Sequence, residues 1–288
     1  MASAAQKLRE LLASPGVHVT PACFDALSAR MVERAGFKAS FMSGFAVSAA
    51  RLGLPDTGLI SYAEMVQQGR DICNATSIPV IGDADTGYGN ALNVKRTIQG
   101  YAQAGFACAM IEDQLAPKRC GHTRGKLVVG RDEALGRIQA AVDARDEGAD
   151  ILIMARTDAR ATDGFEEAMW RVRAFADVGA DILFLEAPQN EAEMRAFCDG
   201  VPGHKMANLV EQGDTPLLAP DALGEMGFKI VLYPLTLLNS AMTAMENALA
   251  ALKAGRTPDT LSDFAHLRDI VGFPDYYEAE KKYAEGGE

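Results

Sequence analysis

Short apolar runs and longer amphipathic stretches alternate along this chain, and that alternation restricts the fold more than any other feature. The apolar runs are Val17-His18-Val19-Thr20, Ala39-Ser40-Phe41-Met42, Pro79-Val80-Ile81-Gly82, Ala109-Met110-Ile111, Ile151-Leu152-Ile153-Met154, Ile182-Leu183-Phe184-Leu185, Lys205-Met206-Ala207-Asn208 and Ile230-Val231-Leu232-Tyr233. They read as parallel strands buried on both faces. Helix-like stretches lie between them. Asn93 to Ala104 and Glu133 to Glu147 carry apolar residues at helical spacing, and Val94, Ile98, Tyr101 and Ala102 share one face. Gly36, Gly105, Gly148 and Gly179 follow such stretches, as left-handed helix caps require.

Eight strand–helix repeats in about 250 residues point to a (β/α)8 TIM-type barrel. A doubly wound open sheet is the alternative, because alternation does not prove closure. The chain has 288 residues and 48% hydrophobic content, enough for one large core. No interdomain linker or low-complexity segment interrupts it, so 1–288 reads as a single barrel domain. The segment 256–288 reads as an extension. Its Pro258, Pro274, Tyr276 and Tyr277 point to docking on a neighbouring subunit.

The formal net charge is −11 and no basic stripe is visible, so nucleic acid is not an expected partner. No run of ~18 apolar residues is present, so no membrane span is expected either. Five cysteines, scattered without pattern, argue against a disulfide framework and fit a reducing, cytoplasmic location. Met1 to Glu10 has no stretch of signal-peptide character.

One cysteine differs from the rest. Cys120 sits in Lys118-Arg119-Cys120-Gly121-His122, with Arg124 and Lys126 close behind. Nearby cations favour a thiolate and make a thiol a usable acid or base. The glycines and polar residues read as a loop, and the span from about Lys118 to Val129 reads as a gate. In an acidic chain such a basic group can hold an anionic substrate locally.

Carboxylates gather at the strand ends, which face the active site in a barrel. The third run leads into Asp83-Ala84-Asp85-Thr86-Gly87, the fourth into Glu112-Asp113, and the loop after the second carries Asp56. Asp83 and Asp85, two apart, can point the same way. Four converging acids repel unless a cation compensates them, and oxygen ligands suit magnesium. Arg156, at the end of the fifth run, can grip a carboxylate bidentately or pair with Glu186 or Asp158. Glu186 and Asn208 end the sixth and seventh runs. The second leads to Ser43-Gly44-Phe45, where glycine allows close approach of backbone amides. Trp170 reads as core, and His18, His204 and His266 as structural.

Taken together, Ser43-Gly44, Leu54-Pro55-Asp56, Asp83-Ala84-Asp85-Thr86-Gly87, Glu112-Asp113-Gln114, Lys118-Arg119-Cys120-Gly121-His122 and Ala155-Arg156-Thr157-Asp158-Ala159 resemble the isocitrate lyase / phosphoenolpyruvate mutase superfamily. The resemblance runs from roughly Gln6 to Tyr283. It implies an α/β barrel whose eighth helix is exchanged between subunits of a dimer, within a homotetramer that is a dimer of dimers. It implies Mg2+, or Mn2+ in its place, held by Asp85 directly and by Asp83, Asp56 and Glu112 through water. It assigns chemistry to Cys120, helped by Lys118, Arg119 and His122. Substrate binding falls to Ser43, Gly44, Phe45, Gly121, Arg156, Glu186 and Asn208.

The cysteine loop resembles that of the carbon–carbon lyases of the superfamily. Gly44 to Ala50 and His122 to Lys126 look most like the 2,3-dimethylmalate lyase and petal-death-protein group. That implies a small anionic di- or tricarboxylate substrate, with a 2-alkylmalate or 2,3-dimethylmalate expected. Methylisocitrate lyases have glycine where Phe45 stands and an arginine where Asn239 stands; a family tyrosine is Phe41 here. Methylisocitrate lysis, oxaloacetate hydrolysis and non-catalytic binding of a 2-oxo acid are the alternatives.

Overall fold

The computed structural model describes residues 2–120 and 125–284. Eight parallel strands close on themselves in chain order: β1 (His18–Cys23), β2 (Ser40–Met42), β3 (Val80–Asp83), β4 (Cys108–Glu112), β5 (Leu152–Thr157), β6 (Ile182–Leu185), β7 (His204–Asn208) and β8 (Ile230–Tyr233). The closing seam pairs His18 with Ile230 and Val19 with Val231. The expected barrel is therefore closed, and the open-sheet alternative is excluded. Each expected strand lies within a few residues of an observed one.

Period-two alternation builds the barrel and also positions the site. Phe41, Ile81, Met110, Met154, Phe184, Met206 and Leu232 belong to one buried cluster, the barrel interior. Leu183, Ile111, Ile153 and Ala207 belong to the second cluster, between strands and helices. Counting two residues onward from the first six of these reaches Ser43, Asp83, Glu112, Arg156, Glu186 and Asn208, and from Leu232 reaches Pro234. The same parity that buries apolar side chains lower in the barrel thus turns the polar ones inward at the strand C-terminal ends.

The opposite end is stoppered. The helix Ala4–Ala13, capped by Ser3 accepting from the Gln6 N–H, places Ala5, Leu8 and Leu12 in the interior cluster. Leu8 is fully buried. Its truncation to alanine should cost ~2–5 kcal/mol through lost contact and a residual cavity.

Around the barrel, the helix Ala91–Ala104 ends on Gly105 at φ +100° and Phe165–Val178 ends on Gly179 at φ +105°, both left-handed caps. Gly36 and Gly148 have φ +89° and +116°. Trp170 is half-buried rather than core, with the Arg131 guanidinium 3.8 Å above its ring.

The chain divides into two compact units, Met1–Leu238 and Asn239–Glu288. The division falls inside the helix Thr236–Lys253, ahead of the residue at which the sequence places the extension. Within the second unit the helices Phe264–Val271 and Phe273–Tyr283 follow one another across Gly272. Arg268 lies 5.2 Å over the Phe273 ring and donates to the Tyr277 hydroxyl at 3.1 Å. Among the described residues, no helix is long and apolar enough to cross a membrane.

Candidate active site

The inward-facing polar residues line a cavity of about 50 Å3. Ser43, Phe45, Asp56, Asp83, Glu112, Arg156, Glu186 and Asn208 meet Lys118, Arg119 and Cys120 there. Its apolar wall is Phe41, Met110, Phe184, Val210, Leu232, Pro234 and Leu235. That space holds a few waters and not a substituted malate. Of the expected site residues, Gly121 and His122 lie outside the described residues.

The Asp83–Asp85 segment is a turn as well as a strand end. β3 stops at Asp83, so Asp85 is positioned by the turn and not by strand parity. Asp83 Oδ1 accepts from the Asp85 N–H at 3.0 Å and Oδ2 accepts from the Gly44 N–H at 3.1 Å. Asp85 takes φ +48°, a left-handed conformation costly for a residue with a Cβ. Its carbonyl accepts from the Glu112 N–H at 2.9 Å, which ties the turn to β4. Gly44 is required: a Cβ there would lie 2.6 Å from Asp83 Oδ2. Its amide, expected to meet substrate, donates here to Asp83.

Lys118 fills the centre of the acid group. Its Nζ is 2.5 Å from Asp56 Oδ1 and 2.7 Å from Asp85 Oδ1. Burial opposes its charge, but Asp85, Asp83, Asp56 and Glu112 hold its pKa well above the ordinary value. Lys118, expected to help Cys120, also neutralises acids with its ammonium. It offsets one of four carboxylates. Burial accordingly raises the pKa of the others: Asp83 to about 6, with Asp85 adding repulsion; Asp56 upward against the pull of Lys118; and Glu112 well upward against that of Arg156.

These residues fit a hard divalent cation. Glu112 Oε1 is buried and receives no hydrogen bond among the described residues. The donor set is all oxygen, and the excess negative charge is what a dication relieves. Among the described residues, no three His, Cys, Asp or Glu side chains form a ready-made cage. Magnesium, which keeps several waters and uses one or two carboxylates, suits that arrangement.

Arg156 faces Glu112 across the β4–β5 register. Its Nε and Nη2 grip Asp158 at 2.8 and 2.9 Å, and it pairs with Glu186 at 3.3 Å and Glu112 at 3.4 Å. Burial opposes its charge too, yet Asp158, Glu186 and Glu112 keep it well above the ordinary arginine value. Asp158 also accepts from Lys126 Nζ at 3.1 Å, which fastens the far side of the cysteine loop to the same carboxylate. Asn208 Nδ2 donates to Glu186 at 3.3 Å. Ala187, next in the chain, has φ +55°.

The outward-facing residues of the same strand ends form a supporting layer that the sequence reading missed. Asp113 accepts from Thr157 Oγ1 at 2.6 Å, from the Asp158 N–H at 2.9 Å and from Arg171 Nη1 at 3.0 Å. Arg137 Nη1 donates to the carbonyls of Glu112 (3.3 Å) and Gln114 (2.8 Å). Both arginines are nearly fully buried on helix faces that otherwise carry Ala134, Ile138, Ala168 and Val172. An arginine on an apolar helix stripe was the available signal.

Comparison with known proteins agrees with this geometry. The phosphoenolpyruvate phosphomutase family model matches residues 8–253. The 2,3-dimethylmalate lyase of Eubacterium barkeri is 44% identical over 286 residues, covering 98% of this chain and 99% of that protein. The 2-methylisocitrate lyase of Aeropyrum pernix is 39% identical, covering 96% and 89%. Oxaloacetate acetylhydrolase bound to 3,3-difluorooxalacetate superposes with a TM-score of 0.95 at 36% identity, over 99% of each chain. Phosphonopyruvate hydrolase in complex with oxalate and Mg++ superposes at 0.86 and 29% identity, over 99% of this chain and 100% of that one.

Proposed function

This chain belongs to the phosphoenolpyruvate mutase / isocitrate lyase superfamily, whose carbon–carbon lyases it joins, and from that premise we propose that it cleaves a 2-alkylmalate or 2,3-dimethylmalate. The products would be a 2-oxo acid such as pyruvate and a carboxylic acid. The observation that carries this reading is the cavity itself. Its lining brings Cys120 together with the acids Asp56, Asp83, Glu112 and Glu186, the cations Lys118, Arg119 and Arg156, and a set of apolar side chains.

Mg2+ or Mn2+ would be held by Asp85 directly and by Asp83, Asp56 and Glu112 through water. When bound, it supplies Lewis-acid stabilisation of the oxygens on the 2-oxo acid half. The protein does the rest. Arg156, oriented by Asp158, meets the C1 carboxylate. Ser43 and Phe45 bound that half of the substrate. The 2-hydroxyl passes its proton to a water of the site, the oxygen's electron pair forms the C2=O bond, and the C2–C3 bond breaks, leaving its electron pair on C3, delocalised into the adjoining carboxylate. Cys120 gives that carbon a proton as general acid. Arg119 and His122 screen the departing carboxylate, and Glu186 with Asn208 orients it.

The lining favours a dicarboxylate. Its described cations are Lys118, Arg119 and Arg156, and two of them already pair with protein carboxylates. Likeness to oxaloacetate acetylhydrolase supports a second reading, hydrolysis of oxaloacetate. Products decide between the two: hydrolysis yields oxalate and acetate, whereas lysis of an alkylmalate releases a 2-oxo acid. Incubation of 2-alkylmalates, methylisocitrate and oxaloacetate with enzyme and magnesium, with products identified, is the test.

We further propose a cytoplasmic homotetramer, a dimer of dimers. The helix Thr236–Lys253 exposes Met242, Met245, Leu249 and Leu252, an apolar face suited to a second copy of the chain. Light scattering would give the mass directly.

A further inference from the structure

Gln114 is fully buried, and among the described residues its carboxamide bonds to Arg119 at both ends. Oε1 accepts from the Arg119 N–H at 2.8 Å, and Nε2 donates to the Arg119 carbonyl at 2.8 Å. The side chain therefore pairs with Arg119 as a neighbouring strand would, taking both its main-chain polar groups. Gln114 is itself held from behind, because its carbonyl accepts from Arg137 Nη1. Its main chain pairs antiparallel with Val128, flanked by Leu115 N–H to Leu127 O at 2.8 Å and Val129 N–H to Asp113 O at 2.9 Å. The carboxamide thus sits on a fixed base, five residues upstream of the peptide it grips. That peptide leads directly into Cys120, which lines the cavity.

We propose that Gln114 is the positioning residue for Cys120. By fixing both polar groups of Arg119, it sets the peptide plane from which the Cys120 side chain departs. Lys118, one residue further back, is anchored independently on Asp56 and Asp85. With Lys118 and Arg119 both pinned, the thiol enters the cavity from a defined direction. Without the carboxamide, the main-chain groups of Arg119 would turn toward water and the thiol would sample several directions. Proton delivery to a carbanion falls steeply with such misplacement. The inference rests on Cys120 acting as the general acid.

The decisive variant is Gln114→Met, which keeps length and apolar fit while removing both hydrogen bonds. Gln114→Glu, which keeps the acceptor and replaces the donor, is a second variant should the first fail to fold. Four measurements apply to each: kcat, KM, the iodoacetamide alkylation rate at Cys120 read by peptide mass spectrometry, and melting temperature. The expected result is a kcat loss of roughly tenfold or more, with KM changed by less than about threefold. The alkylation rate at Cys120 should change by several-fold. In a Cys120→Ser background the same substitution should add little further loss, because both act through one step. Unchanged kcat and unchanged alkylation in a folded Gln114→Met protein would overturn the proposal, as would full additivity with Cys120→Ser. A near wild-type rate in Cys120→Ser alone would instead remove the general-acid reading, and the alkylation rate would still report whether Gln114 positions the thiol.

Discussion

Lys118 and Asp85 form an ion pair of 2.7 Å in which both side chains are 5% exposed. The ammonium thus stands among the carboxylates expected to hold a dication. A metal at Asp85 must share that carboxylate with Lys118 or shift it aside, so metal binding and the position of the cysteine loop are coupled. We expect chelation to abolish turnover and magnesium or manganese to restore it. Asp85→Ala should not be rescued at ordinary metal concentrations. Saturating magnesium should also raise the melting temperature, by about 4–5 °C at a hundredfold excess over Kd. Full activity in excess EDTA would remove the metal from the mechanism.

Cys120 is half-buried in the cavity wall and carries no disulfide. A serine hydroxyl fits the same space and is a far weaker acid. Cys120→Ser should therefore fold normally and lose ~10²–10⁴-fold in kcat. Circular dichroism and steady-state kinetics on one preparation separate the two effects; a near wild-type rate would exclude the thiol from proton transfer.

The barrel and its inner rim were legible in the sequence because one parity does two jobs. Phe184 and Glu186, or Met154 and Arg156, alternate along one strand, so buried apolar positions predict where the next polar residue points. What lay outside that rule was harder to read. Asp85 follows a turn with φ +48°, and no strand period describes it. Lys118 looked like a neighbour of Cys120, which is local in sequence, whereas its partners Asp56 and Asp85 are distant. Gln114 was visible only as part of a motif, since its role depends on a loop folding back onto its side chain.

Glu167, which accepts from Arg171 Nε at 2.8 Å, makes a pH prediction away from the cavity. Hydrogen bonds from Arg131 hold Glu167 down to about 2 against an ordinary 4.5; burial opposes them, and Arg171 adds to the lowering. A depressed carboxyl pKa means that the folded state favours the carboxylate. Its contribution is full above pH 4.5 and fades as pH falls toward 2. Glu167→Gln should lower the urea midpoint at about pH 7, and the gap to wild type should narrow steadily below about pH 4.5. A gap that stays constant or widens on acidification would show that Glu167 acts by packing and not by charge.

Substrate choice is the sharpest prediction. Methylisocitrate carries one carboxylate more than an alkylmalate and needs one more cationic partner. Lys118 is held by Asp56 and Asp85, and Arg156 by Asp158 and Glu186, which leaves Arg119 as the third described cation of the lining. Phe45 adds an apolar ring to a lining that also holds Phe41, Phe184 and Leu232. A buried carboxylate without a charge-assisted partner costs ~1.5–3 kcal/mol, about tenfold or more in affinity or rate. An alkyl substituent against the aromatic wall gains instead, at ~0.8 kcal/mol per buried methylene. We therefore expect 2,3-dimethylmalate or a 2-alkylmalate to show a higher kcat/KM than methylisocitrate or isocitrate. Phe45→Gly should narrow that difference by opening the wall. Side-by-side kcat/KM values decide it: a tricarboxylate preferred by about tenfold, roughly 1.4 kcal/mol, would make methylisocitrate lysis the better assignment.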